Sequence, residues 1–178
     1  MPGYAERRAR IRPCLVLAAG LIAAALCGAV PARAETQPKA DRILVLKGKR
    51  LLLLLHEGRV IKAFPIALGA RPVGPKRMRG DERTPEGIYV IDGRNPRSQY
   101  TLALHISYPD AEDLQRAAAA HEDPGGAIFI HGMPPSFGRS DPVRFFKDWT
   151  AGCISVGNAA ISEIWNAVDD GTTIEIRP

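Results

Sequence analysis

The chain has 178 residues, with 24 Lys and Arg against 19 Asp and Glu and a formal charge of +5. The excess cations are unevenly placed: Arg7, Arg8, Arg10, Arg12 and Arg33 fall in the first 34 residues with only Glu6 against them, so the charge without that segment is about +1. Nucleic acid is thereby excluded as an expected partner, and residues 35–178 suffice for one domain with its own core but not for a separate binding module.

The arginines are followed by an apolar run from Cys14 to Val30 and then by Ala32-Arg33-Ala34, which together read as a secretory signal peptide over residues 1–34. The run is short for a membrane span and is interrupted by Gly20 and Gly28, so the expected product is an exported protein of the periplasm or cell envelope with no stable membrane insertion after cleavage. The Arg7-Arg8 pair leaves the export route open, and Leu26 fits poorly before a lipidated Cys27. Cys14 and Cys27 leave with the signal. The thiol that remains, Cys153, has no partner for an internal disulfide and is either a small buried residue or one retained for chemistry.

Residues 35–41 (ETQPKAD) read as a linker, and the domain is expected over 42–178. RILVLK, RLLLLLH and RVIKAFPIAL are strand-like runs separated by Gly48 and by Glu57-Gly58, with Pro65 marking the third as an edge strand or a bulge. Residues 69–86 carry Gly, Pro and charge without apolar period and form a long loop, a candidate cleft wall. GIYVID, LALHIS, AIFIH and TTIEI supply four more strands. Asp110 caps one helix, AEDLQRAAAAH, and Asn158 a second, in which Ile161, Ile164, Trp165 and Val168 share a core-facing side. The fold class is mainly β with two short helices.

His131 ends the AIFIH strand, and Thr150-Ala151-Gly152-Cys153 forms a Gly-containing turn 22 residues further on. An imidazole beside a thiol can take its proton, hold the resulting ion pair, and return the proton to a leaving amine. Gly152 permits a sharp turn that would aim the N–H groups of Gly152 and Cys153 at a developing oxyanion. For an arbitrary Gly-Cys pair a buried, inert cysteine is the better account; the surrounding pattern favours chemistry.

That pattern resembles the L,D-transpeptidase catalytic domain, also called the YkuD domain. IFIHG at 128–132 and DWTAGCISV at 148–156 match the family's His-Gly and Ser/Thr-x-Gly-Cys motifs, and GDERTPEG at 80–87, LALHISYP at 102–109 and DGTTIEIRP at 170–178 extend the likeness over about residues 42–177. The resemblance implies a mixed β-sandwich whose catalytic cleft is roofed by loops, with Cys153 as nucleophile, His131 as base, Gly152 in the oxyanion hole and Gly132 and Thr150 beside them. Members often orient the histidine through a backbone carbonyl. They attack the L-centre of the third residue of a peptidoglycan stem peptide, release the terminal D-residue and pass the acyl group to an amine or to water. Two positions depart from the family: many members have His at Ala151 and Arg at Ser155, so a polar donor and a carboxylate-binding guanidinium are missing here.

The expected function is an exported L,D-transpeptidase, with a hydrolase of the same fold second and a non-catalytic wall-binding domain third. No metal and no organic cofactor is expected. A zinc site from Cys153, His131 and Asp141 or Asp148 lacks paired-ligand spacing, and Ser136 and Ser140 lie in a Pro/Gly-rich segment that reads as a lid rather than a nucleophile loop. His105 and Tyr108 are weak candidates for stem-peptide contact, core packing being favoured for His105, while His56 and His121 are expected to face solvent and Thr84–Gly87 to form a turn. The sequence carries no indication of oligomeric state.

Overall fold

The computed structural model describes residues 38–134 and 147–178, all within one compact unit, Thr36–Pro178. The signal peptide expected over 1–34 and the residues Ser136, Ser140 and Asp141 lie outside the described residues. Three strands open the domain: β1 (Ala40–Leu46), β2 (Leu51–His56) and β3 (Arg59–Pro65). β1 begins two residues inside the stretch read as a linker. The remaining elements are β4 (Gly87–Asn95), β5 (Ala103–Ile106), α1 (Ala111–Ala119), β6 (Ile128–His131), β7 (Ile154–Ser155), α2 (Asn158–Ala167) and β8 (Val168–Arg177). They form one mixed eight-stranded sheet in the order β3-β2-β1-β8-β4-β5-β6-β7, parallel at β1–β8 and β6–β7 and antiparallel elsewhere. The mainly β fold with two helices is as the sequence indicates.

Strand alternation builds the core. Ile43 and Val45 of β1, Leu52 and Leu54 of β2, Leu104 and Ile106 of β5 and Ile128 and Ile130 of β6 are all buried, and the intervening positions turn away. Ile161 and Ile164 of α2 join them, with Trp165 partly buried alongside. β4 carries the curl of the sheet: its first half, Gly87–Val90, pairs with β8, its second half with β5, and the register shifts between Ile91 and Gly93. Pro65 closes β3 at the sheet edge, where its missing N–H costs no ladder bond.

The two sheet edges are tied to each other. Past Pro65 the chain crosses to β7, where Ala67 and Ser155 exchange both backbone hydrogen bonds at 2.9 and 2.8 Å, and Ala70 N–H reaches Thr150 O at 2.9 Å. Asp148 reinforces this seam by accepting from Leu68 N–H at 2.9 Å and from the Arg50 guanidinium at 2.6–3.1 Å.

Asp110 caps α1 in a full capping box with Asp113. At α2 the expectation is corrected: Asn158 is the first helical residue, Gly157 is the N-cap, and no side chain caps the helix. The Asn158 amide is instead committed to the strand end beyond His131, where its Oδ1 accepts from Met133 N–H at 2.7 Å and Thr101 Oγ1 at 3.1 Å.

The seam admits no side chain at Gly69. A Cβ there would stand 2.2 Å from Glu82 O, 2.9 Å from Glu82 C and 3.1 Å from Gly152 Cα, all backbone atoms that cannot step aside. Gly69→Ala is expected to shift the urea midpoint by an amount at the upper end of the ~1–3 kcal/mol typical of overpacking. Gly48→Ala, whose Cβ would meet Pro178 at an ordinary 3.8 Å, should leave stability unchanged or raise it by up to about 1 kcal/mol. Equal midpoints for the two variants would show that the seam yields.

Candidate active site

His131 ends β6 and Cys153 immediately precedes β7, the strand that pairs with β6 in parallel through Ile130–Ile154 and His131–Ser155. This pairing brings together two residues that are far apart in sequence, and both open on one cleft of about 460 Å³. Asn95 at the end of β4, Ser98, Gln99 and Tyr100 from the β4–β5 connection, and Ala103, Ala127 and Phe129 line the rest.

The imidazole is 3% exposed and held on three sides. Nδ1 donates to Gly132 O at 2.7 Å, which leaves Nε2 as the basic nitrogen. Tyr100 stacks on the ring, centroids 4.4 Å apart, and Trp149 meets it edge-on at 5.8 Å. Burial pushes the imidazolium pKa down, and the carbonyl of Gly132 opposes this only in part. Gly132 has no room for a side chain, since a Cβ would lie 2.6 Å from Asn158 Oδ1 and 2.8 Å from Tyr100 O.

Cys153 is half-buried, and its thiol donates to Ala127 O at 3.6 Å. Burial pushes the thiol pKa up against the pull of the Phe129 N–H and the positive charge of Lys76. Burial thus works against the charged form of both groups.

The turn before Cys153 is built by Thr150 and Gly152. Thr150 Oγ1 donates to Cys153 O at 2.7 Å and accepts from Gly152 N–H at 3.1 Å. The Gly152 amide, expected to face an oxyanion, is thus already engaged. Glycine is needed there for another reason: φ is +134°, and a Cβ would stand 2.7 Å from Arg83 O in the adjoining loop.

That loop, residues 69–86, is organised by buried charges. Lys47 Nζ reaches Gly74 O, Thr84 O and Glu86 Oε1 at 2.7–2.9 Å. Asp81 accepts from Lys76 Nζ at 2.7 Å and from the N–H groups of Arg77, Met78 and Arg83, and although burial works against its ionised form these donors hold its pKa below the usual carboxylate range.

The other sequence candidates lie apart from the cleft. Tyr108 is buried, packed edge-on against Tyr89 with its hydroxyl on Pro124 O at 3.0 Å, so it is a core residue and not a substrate contact. His105 is neither core nor cleft lining: it is partly exposed, with Nδ1 against Asp92 and its ring edge-on to Phe129. His121 is exposed, whereas His56 is half-buried near Asp41. Among the described residues no three His, Cys, Asp or Glu stand together as metal ligands, and Asp148 is committed to Arg50 and Leu68. Sequence reasoning missed Tyr100 and Lys76, which fall in no motif or periodic run, and gave no role to Phe129 and Trp149, which lie within the IFIHG and DWTAGCISV motifs.

A family model described as the L,D-transpeptidase catalytic domain, YkuD, matches residues 40–176. The chain is 29% identical over 132 residues to YafK of Escherichia coli strain K12, a protein provisionally named an L,D-transpeptidase, covering 71% of this chain and 46% of YafK. Among solved structures it is similar to the helical cell shape determining protein Pgp2 of Campylobacter jejuni, with 25% identity, a TM-score of 0.60 and coverage of 79% of this chain and 48% of Pgp2. It is also similar to Bd1075 of Bdellovibrio bacteriovorus, with 25% identity, a TM-score of 0.55 and coverage of 80% and 50%. The chain thus spans about half the length of these relatives. The L,D-transpeptidase of Xylanimonas cellulosilytica, 17% identical with a TM-score of 0.50 over 80% of this chain and 62% of its own, shares the fold. With the match running from β1 to β8, this chain belongs to the YkuD family of L,D-transpeptidase catalytic domains.

Proposed function

We propose that this protein is an exported cysteine acyltransferase acting on peptidoglycan stem peptides. The observation that carries the reading is the opening of Cys153 and His131 on one cleft, with Nδ1 anchored on Gly132 O. Cys153 Sγ attacks the carbonyl carbon of the stem as His131 Nε2 takes the thiol proton. The Cys153 N–H serves the oxyanion, the Gly152 N–H being held by Thr150. Collapse breaks the C–N bond, the imidazolium gives its proton to the departing amine, and a thioester remains on Cys153. An amine or water, deprotonated by His131, then attacks the thioester; the C–S bond breaks, and the imidazolium returns the proton to the departing Cys153 sulfur. Placement in the envelope is supported by the Arg-rich start, the apolar run 14–30 and Ala32-Arg33-Ala34. Among the described residues no helix is long and apolar enough to cross a membrane.

A hydrolase with the same first half-reaction is the second reading, favoured by the fate of Ser155. Its side chain is fully buried with Oγ against Met133 Sδ at 3.3 Å, and neighbouring Ala151 is exposed but offers only a methyl group. The guanidinium and imidazole that many relatives have at these positions are therefore unavailable to hold an acceptor stem. The likeness to a cell shape determining protein supports a wall-modifying role under either reading.

Incubation with a disaccharide-tetrapeptide should yield an acyl adduct on Cys153 by intact mass, absent in Cys153→Ala, together with a 3-3 crosslinked dimer. Tripeptide without dimer would select the hydrolase, and neither adduct nor product would count against acyl transfer. His131→Ala should lower kcat/KM by about 10²–10⁴-fold, the usual worth of a general acid–base. Full activity in that variant would reject the base.

The electrostatics make a separate prediction. The thiolate is the reactive form and burial raises the Cys153 pKa, so alkylation by iodoacetamide should climb with pH through a midpoint above that of a free thiol, about 8.5. A rate already on its plateau at pH 7 would mean a preformed thiolate–imidazolium pair.

A further inference from the structure

A second hollow, of about 190 Å³, shares Cys153 and Ala127 with the main cleft. It is lined by Lys76 and Arg79 from the 69–86 loop, by Gly125 and Gly126 and by Ala151; two cations face it and no carboxylate does. Their counter-ions, Asp81 and Asp123, lie outside the lining. Asp81 is satisfied by three backbone N–H groups as well as by Lys76, so its charge is spread over four donors. Lys76 spends two of its three N–H groups, on Asp81 at 2.7 Å and Met78 O at 3.1 Å. Arg79 meets Asp123 through Nε at 2.6 Å, which leaves the two terminal nitrogens of its fork. Gly125 allows this approach, because a Cβ there would already press on Arg79 at 3.3–3.4 Å.

We propose that this hollow is a carboxylate-binding subsite that seats the free carboxylate of the residue leaving from the scissile bond. The assignment rests on the acyl-transfer reading and extends it to substrate recognition. Attack at Cys153 leaves that carboxylate one residue beyond the reacting carbonyl, within the reach of a hollow that Cys153 itself lines. Ser155, sealed in the sheet, supplies no cation for the purpose. Lys76 and Arg79 supply positive charge there from the 69–86 loop, and the Lys76 charge that acts on the thiolate acts on the bound anion as well.

Alkylation with a charged and a neutral reagent tests the site without any substrate. The rates with iodoacetate and iodoacetamide are read at the Cys153-bearing peptide by mass spectrometry, and their ratio is compared with that of N-acetylcysteinamide. Both reagents consume the same thiolate, so the thiol pKa and His131 cancel from the ratio. Cys153 should favour iodoacetate by about tenfold relative to the free thiol, the size of one screened charge interaction at close range. Arg79→Gln, at an exposed position that the fold does not need, should lower the ratio severalfold, and Lys76→Gln should bring it to the free-thiol value. A ratio no higher than that of the free thiol, or a raised ratio that survives Arg79→Gln, overturns the proposal even if Lys76→Gln fails to fold. With peptide substrates, replacing the terminal carboxylate by a carboxamide should lower kcat/KM in the unaltered protein and by severalfold less in Arg79→Gln, and an equal loss in both would also overturn it. An iodoacetate preference without any acyl adduct would retain the anion site and reject acyl transfer.

Discussion

The site depends on the closure of the sheet on itself. β3 and β7 are the free edges of an eight-stranded sheet, and a free edge offers no fixed place for a reactive turn. The chain past Pro65 removes that freedom by pairing Ala67 with Ser155 and Ala70 with Thr150, so the turn that carries Cys153 is held between β6 on one side and residues 67–70 on the other. Gly69 and Gly152 make the contact possible, because each puts bare backbone where any side chain would meet another main chain. Asp148 and Arg50 then lock the seam at the point where the turn begins.

The environment of the thiol follows from this closure. A turn pressed between two backbones is poorly hydrated, so burial raises the thiol pKa and lowers that of the imidazole. The Phe129 N–H and the Lys76 charge oppose that burial at the thiol, and the Tyr100 ring stacks on His131. The same loop that seals the turn brings Lys76 close to it, so rigidity and electrostatics come from one segment of chain.

Much of the fold was legible because strand alternation and the Asp110 capping box are local signals; β1 to β6, β8 and both helices stand close to where the pattern puts them. β7 was not legible. It is two residues long, and its partners, Ile130, His131 and Ala67, are distant in sequence. Cys153 and His131 were legible from motif spacing, but their surroundings were not. Tyr100 and Trp149 lie in turns without period, and Lys76 and Asp81 belong to a charged stretch that reads as solvated until the loop is seen to fold over them. Asn158 looked like a cap because its neighbours look helical, yet its amide serves the chain beyond His131. The sharp turn expected at Gly152 is present in its positive φ, whereas the engagement of its N–H by Thr150 Oγ1 had no sequence signal.

The position of β8 constrains how the molecule is made. It is the last strand in sequence and an interior strand in space, joining β1 on one side to β4 on the other. Without β8 there are two separate ladders and no continuous sheet between them, so assembly waits for residues 168–177. Lys39 and Asp169, 130 residues apart in sequence, meet only then. A topology of such long-range pairings folds slowly, and the domain stays open until its two ladders are joined.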